Sequence, residues 1–544
     1  MRAIPALVDR AVRRYADRVA VVDGPRRLTF AEVGDRVNRL ANALIGLSPH
    51  PGSRVALIMA NRLEFVEADL AIAAAGKVKA PLNPRLTDEE RRYVLANCGA
   101  DVVITEAGEV DRLEALRADL PDLRYVVSVD GPVGGGGPVG GAGPVGGSTA
   151  GAGTVDYGAL LAGAAATPPA VDIDPHAPSM ILHTSGTTGH PKGATTSQAA
   201  RIASATNMWL DEFLPTTTDG MVHVAPMSHG SGSKILCFFL RGARNVTLRR
   251  FDPTTFFAAV ADDGGTSTFV VPTMVRMLLD APDRPADLAL RNITYGGAPM
   301  PPALAEEAIA AFGPILTQVY GSCEAPHPVT ALSAADHLRG GSLLSSAGYE
   351  TTGVTVRIAA DDGTEQPVGE PGELWVKGAH LMSGYWQDDE ATATVFRDGW
   401  YRSGDVAVRD PSGAISIVGR ERDLLISGGL NVYPAEVEAV LQRHPAIREA
   451  AVFGVDDPLW GEAVTAAVVL RPGSSADQDD IVGHCVRHLA GYKKPRRVLF
   501  VDELPKGVTG KVAKAELRAL AARDHGTQGN GTQGNGAQSG GDGT

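Results

Sequence analysis

Between residues 30 and 105 the chain alternates between two periodicities, and that alternation is the strongest limit on its fold. Val33, Val37, Leu40, Ala41 and Leu44 recur at helical spacing, and "RVALIMA" at 54–60 is an apolar run of strand length. "FVEADLAIAAA" at 65–75 then reads as helix and "DVVIT" at 101–105 as strand. Helices alternating with short apolar strands predict α/β layers around a parallel sheet. From about 350 the texture changes to short strands and turns, "VTVRIAADDG", "GELWVKG" and "GAISIVG", which predict a β-rich subdomain. Beyond Arg420, "AAVFGV", "AVTAAVVL" and "RVLFV" mix with helical stretches, as expected of a small α+β domain. The expected organisation is a large N-terminal α/β core over 1–420, with its β-rich part at about 350–420, and a mobile C-terminal domain over 421–522.

The 544 residues suffice for several sizeable cores. Two stretches fall outside them. Residues 131–155 repeat "GPVGG" and the end of the chain repeats "GTQGN"; neither carries enough apolar surface to offset its ordering entropy. A flexible insertion at 131–155 and a disordered tail over 523–544 are expected. With 50 Lys and Arg against 63 Asp and Glu, the formal charge of −13 gives no basic footprint for nucleic acid or an anionic membrane. Cys98, Cys237, Cys323 and Cys485 form no CxxC pair, so neither a disulfide framework nor a zinc ribbon is indicated. No window of about 18 uncharged apolar residues occurs, and the N-terminus is broken by charge every few positions. Neither signal peptide nor membrane span is expected, and a reducing cytoplasm fits.

The chemistry starts at "MILHTSGTTGHPKGATT", residues 180–196. Directly after an apolar strand, Thr184 to Gly193 consist largely of hydroxyls, glycines and one lysine. Glycines let backbone amides approach a ligand, Ser and Thr add donors, and Lys192 adds a charge on a flexible stem. Such a loop suits phosphate. It lacks the GxxxxGK[ST] order of the Walker loop, and taken alone it could equally be a solvated connection.

Further motifs follow in order: "YGGAPM" at 295–300, "YGSCE" at 320–324, "YRSGD" at 401–405, "GRERDLLISGGLNVYPAEVE" at 419–438 and "LPKGVTGK" at 504–511. With the loop, they resemble the adenylate-forming superfamily of acyl-CoA synthetases, luciferases and peptide-synthetase adenylation domains, over essentially 1–522. The text is closest to the fatty and aryl acyl-CoA ligases. The resemblance implies ATP-dependent activation of a carboxylic acid, with CoA as co-substrate and magnesium as the cation. Bringing a carboxylate to the α-phosphate of a polyanion calls mainly for charge neutralisation and alignment.

On that resemblance, Thr184, Ser185, Gly186, Thr187, Thr188 and Gly189 would hold the β- and γ-phosphates, and Lys192 would follow the leaving pyrophosphate. Glu324, with Thr184, would bind magnesium. Tyr320 would stack on adenine beside Gly297 and Ala298, and Asp405 and Arg420 would take the ribose hydroxyls. Lys511 would bridge the acyl carboxylate and the α-phosphate. Arg422 would be the hinge of the C-terminal domain, and Gly428 and Gly429 would let the pantetheine arm of CoA pass. His229, Gly296, Gly297 and Val319 would line the acyl pocket, with Gly230 and Gly232 as further small positions.

Three positions depart from the superfamily pattern. Cys323 stands where threonine is usual, which weakens one hydrogen bond to phosphate and brings Ser322 into view as a substitute. Leu430 replaces a glutamate common in the transfer loop, and Gln198 a histidine that often follows the phosphate loop. Three function classes stay open: a carboxylate–CoA ligase, favoured; an adenylating enzyme with a carrier protein, an amine or nitrite as acceptor; and a catalytically silent relative, disfavoured by the full set of charged residues. The partners implied are a small-molecule carboxylic acid and CoA, with oligomeric state left open.

Overall fold

The computed structural model describes residues 3–131, 153–184, 191–420, 423–427, 430–506 and 512–528. The chain divides into two compact units, Met1–Ser403 with Val408–Ser416, and Gly404–Ala407 with Ile417–Thr544.

The first unit carries the two large sheets that the early alternation predicts. Helix Phe30–Leu47 begins at a capping box, in which Thr29 accepts from the Glu32 amide and Glu32 accepts from the Thr29 amide at 2.8 Å. Its buried face includes Val33, Val37, Leu40, Ala41 and Leu44, the residues spaced for it in sequence. An eight-stranded sheet runs Gly384–Tyr385, Gly193–Ser197, Pro178–His183, Val78–Leu82, Arg54–Ile58, Ala100–Thr105, Tyr125–Ser128, Gly153–Asp156. A nine-stranded sheet has at its centre the parallel strands Leu316–Tyr320, Asn292–Gly296, Ser267–Val270, Gly220–His223 and Arg244–Thr247. Val354–Ala359, Gly372–Gly378 and Trp400–Arg409 lie side by side in a further sheet, in the region read as β-rich.

Three expected boundaries move. Residues 404–407 and 417–420, expected in the N-terminal core, group with the second unit. Gly153–Asp156 is a parallel edge strand on Tyr125–Ser128, so 153–155 belong to the sheet. Thr154 and Val155 favour the extended chain, and the Thr154 hydroxyl donates to Glu114 at 2.9 Å. The remainder of the expected insertion, 132–152, lies outside the described residues. At the other end, helix Lys514–Gln528 continues past 522, where the tail was expected to begin, because "KAELRALAARD" is rich in strong helix formers.

Helix Leu63–Ala74 is buried at every position, including Glu64, Glu67 and Asp69. Buried carboxylates require partners, and each has them. Glu64 accepts from Arg62 at 2.6 Å and from Arg26. Burial would raise its carboxyl, but the two guanidinium groups outweigh this and hold it at about 2. Glu67 accepts from Arg36 at 3.0 Å and Tyr157 at 2.7 Å. Asp69 accepts from Arg201 at 2.8 and 2.9 Å and from Lys79.

In the second unit, Leu430–Val432, Leu425–Ser427, Gly461–Leu470 and Ile447–Asp457 form a sheet in that order, and Arg497–Phe500 pairs with Gly461–Leu470. Helices Pro434–Leu441 and Gln478–His488 bury Val437, Leu441, Ile481 and Cys485 against Val452, Val464 and Val468. The expected α+β character of this region is what the strand pattern produces.

Candidate active site

The phosphate-type loop joins two antiparallel strands, Pro178–His183 and Gly193–Ser197, that pair up to His183 and Gly193. Its ends are tied together: the Thr184 amide donates to the Lys192 carbonyl at 2.9 Å, and the Lys192 amide to the Thr184 hydroxyl at 3.3 Å. Both ends of the loop are thus fixed to the sheet. Ser185, Gly186, Thr187, Thr188 and Gly189 lie outside the described residues.

A short strand, Gly384–Tyr385, adds to the outer edge of this hairpin with Tyr385 opposite Ala194. The register places the Tyr385 ring under the lysine, with Lys192 Nζ 5.2 Å from the ring centroid. The Tyr385 hydroxyl donates to Glu324 Oε1 at 3.0 Å, and the Met382 amide holds the Glu324 carbonyl at 2.9 Å. Burial, and then the Glu324 charge, push the Tyr385 hydroxyl well above its ordinary value, so it remains a proton donor. Lys192, Tyr385 and Glu324 therefore form one connected group, brought together by the pairing of Gly384–Tyr385 with Gly193–Ser197. Sequence reading missed Tyr385 because nothing in "SGYWQDD" signals an edge strand that docks on the loop hairpin.

Among the described residues no group of three or more His, Cys, Asp or Glu side chains stands ready for a metal ion. Magnesium nonetheless fits the donor set, because it is commonly held by one or two carboxylates together with substrate phosphates and water. Glu324 is the half-buried carboxylate available for that arrangement.

Beyond the hairpin, the central strands of the nine-stranded sheet bring Gly296 opposite Val319. A Cβ on Gly296 would lie 2.5 Å from the Val319 carbonyl oxygen, so close strand approach itself demands glycine. Gly297, at φ +78°, turns the chain out of the strand in a conformation that side chains disfavour, and Ala298 follows on the surface. Val319 is buried in an apolar cluster with Phe269, Met208 and Ala331. Tyr320 is half-buried at the strand end. His229 is half-buried and bonded through Nδ1 to the Ser228 hydroxyl at 2.9 Å. A Cβ on Gly232 would collide with the Met227 carbonyl, so its smallness serves the local turn.

The departures acquire physical roles. Ser322 closes its own turn, accepting from the Ala325 amide at 3.1 Å, and Cys323 is half-buried. Gln198 is buried and spans two elements: its oxygen accepts from the Ile4 amide at 2.8 Å, and its amide donates to the Ala73 carbonyl at 3.0 Å. In the second unit, Leu430 is 48% exposed. There the paired strands also bring Asp405, buried, within 2.9 Å of Arg420 Nε. Arg422, Gly428, Gly429 and Lys511 lie outside the described residues.

Replacing Tyr385 by phenylalanine removes one hydrogen bond to a charged group and leaves the ring under Lys192. We expect roughly a tenfold loss in kcat/KM for ATP, the scale of such a bond. Measuring pyrophosphate release while titrating ATP and magnesium checks this; an unchanged value would separate Tyr385 from the site.

Residues 8–386 match the family model of the AMP-binding enzymes and residues 436–511 that of the AMP-binding enzyme C-terminal domain. The chain is 36% identical to a feruloyl-CoA synthase from Amycolatopsis sp, over 94% of this chain and 97% of that protein. It is 34% identical to an indoleacetate–CoA ligase from Aromatoleum aromaticum, over 95% and 98%. Its structure resembles that of the amide bond synthetase McbA from Marinactinospora thermotolerans, with a TM-score of 0.84 and 30% identity over 95% of this chain and 100% of the other. With a hairpin-anchored phosphate-type loop, the Lys192–Tyr385–Glu324 group and these matches along nearly its whole length, the chain belongs to the adenylate-forming family of AMP-binding enzymes.

Proposed function

We propose that the protein joins a carboxylic acid to ATP as an acyl-adenylate and then transfers the acyl group to CoA. In the first step a carboxylate oxygen bonds to the α-phosphorus, the α–β phosphoanhydride bond breaks, and pyrophosphate leaves. In the second, the CoA sulfur attacks the acyl carbonyl carbon, AMP departs, and the thiol proton is released. The observation that carries this reading is the 36% identity to a feruloyl-CoA synthase over 94% of the chain.

Within it, Thr184 and the loop at 185–189 bind the β- and γ-phosphates, and Lys192 stays with the leaving pyrophosphate. Its ammonium is guided by the Tyr385 ring beneath it. Glu324, oriented by the Tyr385 hydroxyl, holds magnesium, which when bound neutralises phosphate charge. Tyr320 stacks on adenine, Asp405 and Arg420 bind the ribose, and Lys511 neutralises the carboxylate and α-phosphate as they meet. His229, Gly296, Gly297 and Val319 border the acid, and Arg422 is the hinge of the C-terminal domain. Gly428 and Gly429 admit the CoA arm. No helix among the described residues is long and apolar enough to cross a membrane. The absence of any CxxC pair among the four cysteines fits a reducing cytoplasm as the place of the reaction.

A second acceptor class is favoured by the likeness to an amide bond synthetase: an amine in place of the thiol. Supplying the adenylated enzyme with CoA or with a panel of amines decides between them. Thioester formation that is lost in Gly429→Trp, while pyrophosphate release persists, is the outcome expected. Amide formation without thioester would move the protein to the amine class.

A further inference from the structure

The sheet face that carries Gly296 and Val319 continues downward. Side chains alternate along a strand, so Thr294 shares the face of Gly296 and Thr317 that of Val319, one rung lower by two residues, or about 7 Å. The register places Phe269, Thr294 and Thr317 side by side on that rung. The acyl wall therefore stands one rung above this row.

The middle member of the row, Thr294, bonds a buried ion pair. Glu212, just past helix Gln198–Asp211, and Lys234, the first residue of helix Lys234–Phe239, meet above it with side chains 3% and 2% exposed. Lys234 Nζ and Thr294 Oγ1, at 2.6 Å, both donate to Glu212 Oε1. Glu212 Oε2 is buried and has no hydrogen-bond partner among the described residues. A buried carboxylate oxygen left unsatisfied carries a desolvation penalty, and its presence in a folded protein calls for an explanation.

Contacts tie this pair to the acyl wall. Lys234 Nζ lies 5.7 Å from the Phe269 ring centroid, and Phe269 stacks on His327 at 5.3 Å. His327 in turn is 3.0 Å from the Ser233 hydroxyl, next to Lys234. Gly230, which follows His229, packs so tightly on Phe269 that a Cβ there would come within 2.8 Å of the ring. Phe269 and Val319 belong to one apolar cluster.

We infer that Glu212 reads the end of the acid remote from its carboxylate, and that the preferred substrate carries a hydrogen-bond donor there, a hydroxyl or an amino group, which donates to Glu212 Oε2. This rests on the proposed adenylation at the same site. An ionised carboxylate accepts only, so a donor satisfies it where a methyl group or an ether oxygen leaves it bare. Lys234 and Thr294 hold the other oxygen and fix the direction in which Oε2 points. A purely fatty chain is disfavoured, because its end would meet a charge.

The test uses the full-length enzyme and matched aryl carboxylic acids that differ only at the remote ring position: hydroxyl, amino or methyl. Initial rates of pyrophosphate release give kcat/KM for each. The hydroxyl or amino acid is expected to exceed its methyl counterpart by roughly 10- to 10²-fold, and the two donor arms show which group is preferred. Glu212→Gln, similar in shape but itself able to donate, is expected to shrink the preference to within a few-fold. Glu212→Met with Lys234→Met removes both charges together, which guards against misfolding from a lone buried charge, and is expected to favour the methyl acid. Equal rates for donor and methyl acids in the wild type would overturn the inference while leaving adenylation in place. A donor preference that persists unchanged in both variants would remove it from Glu212. Donor-selective pyrophosphate release with no thioester on adding CoA would support the inference and sink the CoA reading instead; no release with any of the acids would overturn both.

Discussion

Lys511→Ala is expected to slow acyl-adenylate formation by roughly 10²- to 10³-fold, the scale of removing one well-placed electrostatic group from a transition state. The reason lies in the charge of the reaction. An anionic carboxylate must approach a polyphosphate, and no acid–base step substitutes for a cation placed between them. In the proposed roles Lys192 stays with the departing pyrophosphate, so it would not replace a lysine at the α-phosphate. Acyl transfer from a chemically supplied adenylate meets no such repulsion and should proceed at close to the wild-type rate. Single-turnover measurement of each half-reaction separates the two. Equal loss in both would show that Lys511 acts on folding or on both steps and would remove the assignment.

Asp69→Ala is expected to destabilise the first unit by about 3–5 kcal/mol, the cost of breaking a buried pair by removing one partner. Asp69 is fully buried and receives both Lys79 and Arg201. Without it, two neighbouring cations, with side chains 4% and 11% exposed, remain in one pocket. Burial already lowers the Lys79 ammonium to about 8 against the attraction of Asp69, so losing the carboxylate favours the neutral lysine further. Changing all three together, Asp69→Leu, Lys79→Met and Arg201→Met, should recover most of the loss, because no unpaired charge is then left behind. Urea denaturation followed by circular dichroism measures both variants. A shift below about 1 kcal/mol in Asp69→Ala would show that water reaches the pocket and solvates the cations.

These two residues mark the limits of what the sequence reveals. Lys511 is proposed from sequence alone, because it sits inside a motif whose chemistry is local, and it lies outside the described residues. The helix read over 65–75 is Leu63–Ala74, but the spacing says nothing of its three acidic residues being buried, and it is buried all round. Their partners, Arg26, Arg62, Arg36, Tyr157, Lys79 and Arg201, are scattered along the chain, and only tertiary packing assembles them. The same holds at the site. The loop and Glu324 announce themselves by residue type, whereas Tyr385 reaches Glu324 from 61 positions away through an edge-strand register that no periodicity encodes. Gln198 stands where a histidine often follows the phosphate loop, and in the structure it is a buried link between two elements. The glycines at 230, 232 and 296 looked like room for substrate, yet each also has a backbone or ring against it. Local chemistry is readable from composition and order; long-range pairing is not.

We propose that this site activates a carboxylate at the α-phosphate of ATP. Acid-dependent exchange of labelled pyrophosphate into ATP, measured with magnesium and without any acceptor, tests it most directly, because exchange requires reversible adenylate formation and nothing later. Exchange that depends on an aryl carboxylic acid, and that falls by at least about 10²-fold in Lys511→Ala, is the predicted result. Wild-type enzyme that binds ATP but shows no exchange with any carboxylic acid, or exchange that Lys511→Ala leaves intact, would contradict the account.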